Sequence, residues 1–82
     1  MDEPYVGMVC LFPWDFETRG WLKCKGQTLP ANQYQALFSL LGVKFGGDGH
    51  SNFMLPNLPD IQAKTGTLSY YIATQGMYPN RT

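Results

Sequence analysis

Between Gly26 and Gly49 the chain carries its one strong helix signal, and a helix that short cannot stand without cover. Tyr34, Leu37, Phe38 and Leu41 recur at i, i+3, i+4 and i+7, so their side chains share one face, while Gln33, Gln35 and Ser39 point elsewhere. Asn32 suits the N-cap because its side-chain oxygen can accept from a free backbone N–H, and Gln35, three residues on, can reach back in capping-box fashion. The spacing predicts a helix from Gln33 that ends at Gly42, in the left-handed conformation glycine adopts cheaply. About ten residues of helix are marginal alone because nucleation is costly. The apolar face must lie against a sheet or a second chain.

The flanking segments offer strands to cover it. Val6 to Phe12 is apolar, rich in strand formers and bounded by Pro4 and Pro13, with Gly7 as a weak point or a close backbone approach. Residues 13–20 read as a loop, with Trp14 and Phe16 at alternate positions as core plugs. Trp21 to Cys24 is a short second strand that ends in a Lys25-Gly26 turn. Gly46, Gly47, Asp48 and Gly49 form a structural turn with little side chain to pack. Phe53, Leu55 and Leu58, around Pro56 and Pro59, are expected extended or turn-like. Asp60 to Gly66 is polar and reads as exposed. The clearest strand is the last, Thr67 to Thr74, with Leu68, Tyr70 and Ile72 on one face. The expected fold is α+β: a small single domain spanning residues 1–82, with about three strands, one short helix and extensive loops.

Composition limits what such a domain does. Six basic and six acidic residues cancel, with no run of either sign, so nothing in the charge favours nucleic acid or an anionic membrane. The opening Met1-Asp2-Glu3-Pro4 is acidic where a signal peptide is basic, and no apolar run is long enough to span a bilayer, so neither a leader nor a membrane helix is expected. Charged residues make up 15% of the chain against a typical ~25%. Five Tyr, five Phe and two Trp in 82 residues exceed what one small core needs. Assembly through aromatic surface is the natural expectation. Cys10 and Cys24 either pair or remain as thiols in strands, where buried free cysteines are common.

Few residues carry chemistry. Gly42 and Gly47 have the spacing of a phosphate loop, but Asp48 and Gly49 follow where lysine and a hydroxyl residue should stand, and the helix precedes the loop. His50 is the sole histidine, so a metal site would need three chains meeting on an axis; a loop histidine is the plainer reading. Asp48 and Asp60 read as turn residues, and neither Ser51 nor the cysteines sit in a nucleophile motif. The expectation is therefore no catalysis, no cofactor and no metal. Exposed aromatic residues such as Tyr5, Trp14, Tyr70, Tyr71 and Tyr78 offer stacking faces for sugar rings as an alternative to subunit contacts. Asn80-Arg81-Thr82 fits a glycosylation sequon, although nothing else points to secretion.

Several ordered blocks together resemble the phage tail collar domain: Arg19-Gly20-Trp21, Cys24 to Gln27, Leu29-Pro30, Gln33 to Gly42, Phe45 to Gly49 and Phe53 to Leu58. The opening Asp2 to Gly7 and the closing Leu68 to Gly76, with Pro79 to Arg81, resemble the ends of the microcystin-dependent group of that family. The resemblance implies a trimeric structural module of a phage tail or a related contractile particle, which joins tail or baseplate components as a homotrimer or with other tail proteins. It also implies location in the virion or an extracellular contractile particle after synthesis in the host cytoplasm. The alternative is a tail-fibre module that binds a receptor or host surface glycan. Longer relatives carry a glycine- and histidine-rich insertion before the final strand, which residues 59–66 contract to a few positions here. On this reading Trp21, Leu37, Phe38 and Leu41 form the core of the chain. Tyr5, Trp14, Tyr70 and Tyr71 meet neighbouring chains.

Overall fold

A computed structural model describes residues 3–79, so the sequon at Asn80 lies outside the described residues. Its longest strand, Gly66–Ala73, is the axis of the fold (β6, with β1 Val9–Phe12, β2 Trp21–Lys23, β3 Thr28–Pro30, β4 Asn52–Met54 and β5 Ile61–Ala63). β1, β2 and β5 all pair with β6, in antiparallel fashion, and β6 lies between β1 and β2. β3 and β4 form a separate antiparallel pair that sets Leu29 opposite Phe53. The single helix, α1, runs from Gln35 to Leu41. The α+β class holds, with six strands where about three were expected.

The two faces of the main sheet are covered differently. Cross-strand partners share a face, so Val9, Ile72 and Leu22 lie on one side together with Leu11 and Tyr70. That side meets the core, where Ile72, Leu37, Leu29, Phe53, Leu55, Val6 and Cys24 are all buried. Leu37 is fully buried, while Tyr34, Phe38, Leu40 and Leu41 pack around it half-covered. The Phe38 ring lies 5.3 Å from that of Phe53. This contact joins α1 to the β3–β4 pair. The opposite side carries Cys10, Phe12, Trp21, Lys23 and Tyr71, and the loop after β1 folds over part of it.

The helix is shorter than its sequence predicts. It begins at Gln35, not Gln33, with Tyr34 as an N-cap that makes no side-chain capping bond. The Gln33 N–H instead bonds Pro30 C=O at 3.3 Å and the Ala31 N–H bonds Ser51 C=O at 3.0 Å. These bonds hold residues 30–33 in a turn at the end of β3, so Asn32 is never at the helix entrance. The helix does end at Gly42, whose N–H closes on Phe38 C=O at 2.7 Å, but with φ 53° and ψ −136° this glycine lies outside the expected left-handed helical region. β1 likewise starts late, at Val9, because a turn bonds the Met8 N–H to Tyr5 C=O at 3.1 Å.

Candidate functional site

The glycine run is a turn folded back along β4. The Met54 N–H bonds Gly46 C=O at 3.1 Å and the Gly49 N–H bonds Asn52 C=O at 3.2 Å, so the backbones of Gly47 and Phe53 nearly touch. A Cβ on Gly47 would stand 2.6 Å from Phe53 Cα and 2.9 Å from Asn52 O. Only glycine fits there. Asp48 then ties the turn off. Its Oδ1 accepts from the N–H groups of His50 (2.8 Å), Ser51 (2.9 Å) and Asn52 (3.0 Å), and its Oδ2 accepts from Ser51 Oγ at 2.8 Å. These bonds, led by the His50 N–H, hold the carboxyl well below the usual carboxylate range. A carboxylate so occupied is a weak base, held in the turn by four hydrogen bonds.

Asp60 and Asp15 are also engaged. Asp60 accepts from Lys25 Nζ at 2.7 Å, a bond that lowers its pKa, and Asp15 pairs with Lys23. Among the described residues no three His, Cys, Asp or Glu side chains gather as metal ligands. Cys10 and Cys24 are both free thiols; Cys24 is buried, which pushes its pKa up to about 11.

Phe12, Trp14, Trp21 and Tyr71 form one aromatic cluster on the outer face of the sheet. Phe12 stacks on Trp14 with centroids 4.5 Å apart, meets the Trp21 ring edge-on at 5.2 Å and tilts against Tyr71 at 5.6 Å. Tyr71 is fully buried, and its hydroxyl donates to Trp14 C=O at 2.8 Å, fastening the loop after β1 to β6. Tyr71 therefore has no surface to offer a neighbouring chain, contrary to the sequence-based expectation. Trp14 spends one ring face on Phe12, and Tyr70 is half-buried against the central core. Trp21 belongs to this outer cluster and not to the core around Leu37. Phe16 does not plug the core: it is 61% exposed.

Exposed apolar surface gathers instead along β1. The Ala73 N–H bonds Met8 C=O at 2.9 Å, which sets the phase of the ladder, so Val9 and Leu11 fall at positions whose backbone groups face away from β6. Their side chains are 42% and 38% exposed, and Tyr5, Met8 and Met77 are exposed nearby in the chain or its bridge. A second exposed pair, Val43 and Phe45, follows the helix, with Lys44 set over the Phe45 ring at 5.8 Å. Apart from Tyr5, these positions did not stand out in the sequence, because an edge strand and a central strand have the same alternating pattern.

An open cleft lies where the N-terminal segment crosses the end of β6. The Met77 N–H bonds Pro4 C=O at 2.8 Å and the Val6 N–H bonds Met77 C=O at 2.9 Å. Beside them the Trp21 N–H closes a turn on Thr18 C=O at 3.0 Å, and that turn is held to β6 by the Thr74 N–H on Gly20 C=O at 2.8 Å. The polar end of the cleft, about 230 Å³, is lined by Glu3, Arg19 and Gln75. The apolar end, about 390 Å³, is lined by Tyr5, Met8, Cys10 and Phe12, and Trp21 borders both.

Compared with known families, residues 7–61 match the phage tail collar domain. Among curated proteins, none matches this chain.

Proposed function

Because the chain belongs to the phage tail collar domain family, a structural module of phage tails, we propose that residues 1–82 act as one minimal collar or tail-fibre unit that trimerises and joins tail or baseplate components of a phage or a phage-tail-like contractile particle. The observation that carries this reading is the free edge of β1. A strand that exposes unpaired N–H and C=O groups beside apolar side chains is a template for another chain, and soluble monomers guard such edges with lysine, proline or a covering loop. Among the described residues no strand pairs with the outer side of β1, and Val9 and Leu11 are exposed there. A closed threefold ring joins two different patches of each chain, and the Val43–Phe45 surface supplies the second. Tyr70, half-buried opposite Leu11, lies at the margin of this interface.

The test is solution mass by light scattering coupled to size exclusion. The native chain is expected at three times 9.2 kDa, and Leu11→Lys at the monomer mass with its circular dichroism unchanged. A native monomer at high concentration, or a Leu11→Lys trimer, would refute the β1 interface. Deleting the chain from Leu68 onward is no substitute, since β6 pairs with three other strands and its loss would unfold the subunit.

A further inference from the structure

The cleft beside Trp21 is built as a binding site. Its walls are backbone segments fixed by three inter-segment hydrogen bonds and the Thr18–Trp21 turn, and the Trp21 ring is held edge-on by Phe12. Little ordering is therefore left to be done when a ligand enters. The apolar end alone reaches the size of small-ligand pockets, about 300–1,000 Å³; Arg19 and Gln75 line the other end only, and Glu3 stands between the two. Glu3 and Arg19 bring opposite charges to the polar end, and neither forms an ion pair among the described residues.

These groups define a ligand chemistry. The balanced charges disfavour an anion or a cation. A carboxylate accepts, a guanidinium donates in a planar fork, and the Gln75 amide does both, which together match adjacent hydroxyl groups. An indole beside them offers an apolar surface of the kind on which the C–H face of a sugar ring rests. Next to the indole, Met8, Cys10 and Phe12 line space suited to a methyl or acetyl group but not to a further hydroxyl. We propose that the cleft formed by Glu3, Arg19, Trp21 and Gln75 with the Tyr5–Met8–Phe12 wall binds a neutral saccharide bearing an apolar substituent, a 6-deoxyhexose or an N-acetylhexosamine. This site adjoins the β1 edge through Tyr5 and Met8 but rests on observations separate from those behind the trimer reading. It replaces Trp14 and Tyr71 as the aromatic platform for a glycan.

The purified chain is titrated with methyl rhamnoside, methyl N-acetylglucosaminide and methyl glucoside while backbone amide shifts are followed. Saturable shifts are expected at residues 3–12, 19–21 and 75–76 with one or both of the first two sugars, and weaker binding of methyl glucoside. Arg19→Ala and Tyr5→Ala remove exposed side chains outside the core and should each weaken binding about tenfold, the loss of one charged or stacking contact. The proposal is overturned by no saturable shift with any of the three sugars, by methyl glucoside binding equally well, or by undiminished binding in Arg19→Ala. Shifts produced by an apolar peptide and by none of the sugars would likewise overturn it and assign the cleft to a protein partner. Because the shifts are local, the outcome is separable from the mass measurement: a monomer that binds the sugar refutes only the assembly reading.

Discussion

Gly47→Ala tests whether the glycine run is there for contact or for flexibility. The new methyl group would stand 2.6 Å from Phe53 Cα and 2.9 Å from Asn52 O, both backbone atoms of β4, while carbon atoms in ordinary contact sit about 3.5–4.0 Å apart. The turn and β4 would have to separate by about 1 Å, and β4 is held by its pairing with β3 and by the buried Phe53 ring. Overpacking of this kind costs about 1–3 kcal/mol. The backbone at Gly47, with φ 106°, adds about 1–3 kcal/mol once a Cβ is present. The sum is a large part of a small domain's ~5–15 kcal/mol, and the expected fall in Tm exceeds about 10 °C. Gly42→Ala is the control, since it too has positive φ but its Cβ would meet nothing within 4 Å. It should cost only the backbone strain of φ 53° and ψ −136°, about 1–3 kcal/mol. Thermal unfolding followed by circular dichroism reads both variants. If Gly47→Ala is no less stable than Gly42→Ala, the close approach to β4 is not what requires glycine.

Leu37→Ala removes the one helix side chain that is fully buried and should cost about 2.7–5 kcal/mol in urea unfolding; a loss under 1 kcal/mol would mean the core collapses freely around it. Tyr71→Phe takes away the hydroxyl that holds Trp14 C=O and should cost about 0.5–1.5 kcal/mol, with altered near-ultraviolet dichroism from the Trp14 environment; unchanged spectra would place that loop under other control. The Asp48 carboxylate has a depressed pKa in the folded chain, so its contribution is complete above the unfolded value of about 3.9 and is lost as pH falls below it toward the folded value. Asp48→Asn should therefore flatten the acid limb of a stability profile, and superimposable acid limbs would rule the contribution out. Cys24, buried and raised to about 11, should resist a thiol reagent at pH 8 in the folded chain while Cys10 reacts, as counted by mass spectrometry.

Long periodic segments were legible in the sequence, and of the three-residue strands only β2 was. The β6 alternation of Leu68, Tyr70 and Ile72 spans eight residues and its register follows directly. β3, β4 and β5 have three residues each and no room for a period to repeat, and β3 contains Pro30. β5 and β6 are joined by Lys64 and Thr65, which lack the Asn-Gly or Asp-Gly signature of a tight hairpin. The helix start was misplaced because the Ser51 contact to Ala31, twenty residues away, decides it and no local signal records that contact. Tyr71 was misjudged for a similar reason. Its neighbours in sequence give no sign that residues 13–16 return to cover the second face of the sheet. The candidate cleft draws Glu3, Arg19 and Gln75 from three distant segments and was invisible until the chain was folded.

The β5–β6 hairpin leaves the body of the domain with every residue from Ile61 to Thr67 exposed. Closure entropy rises only with the logarithm of loop length, about 0.6 kcal/mol per doubling, so added chain between Lys64 and Thr65 meets little thermodynamic resistance and displaces no packed atom. This is the point at which a phage lineage could lengthen the subunit, or shed a tip, while keeping the same scaffold. An engineer could use it in the same way, to display a foreign peptide at the surface of the domain.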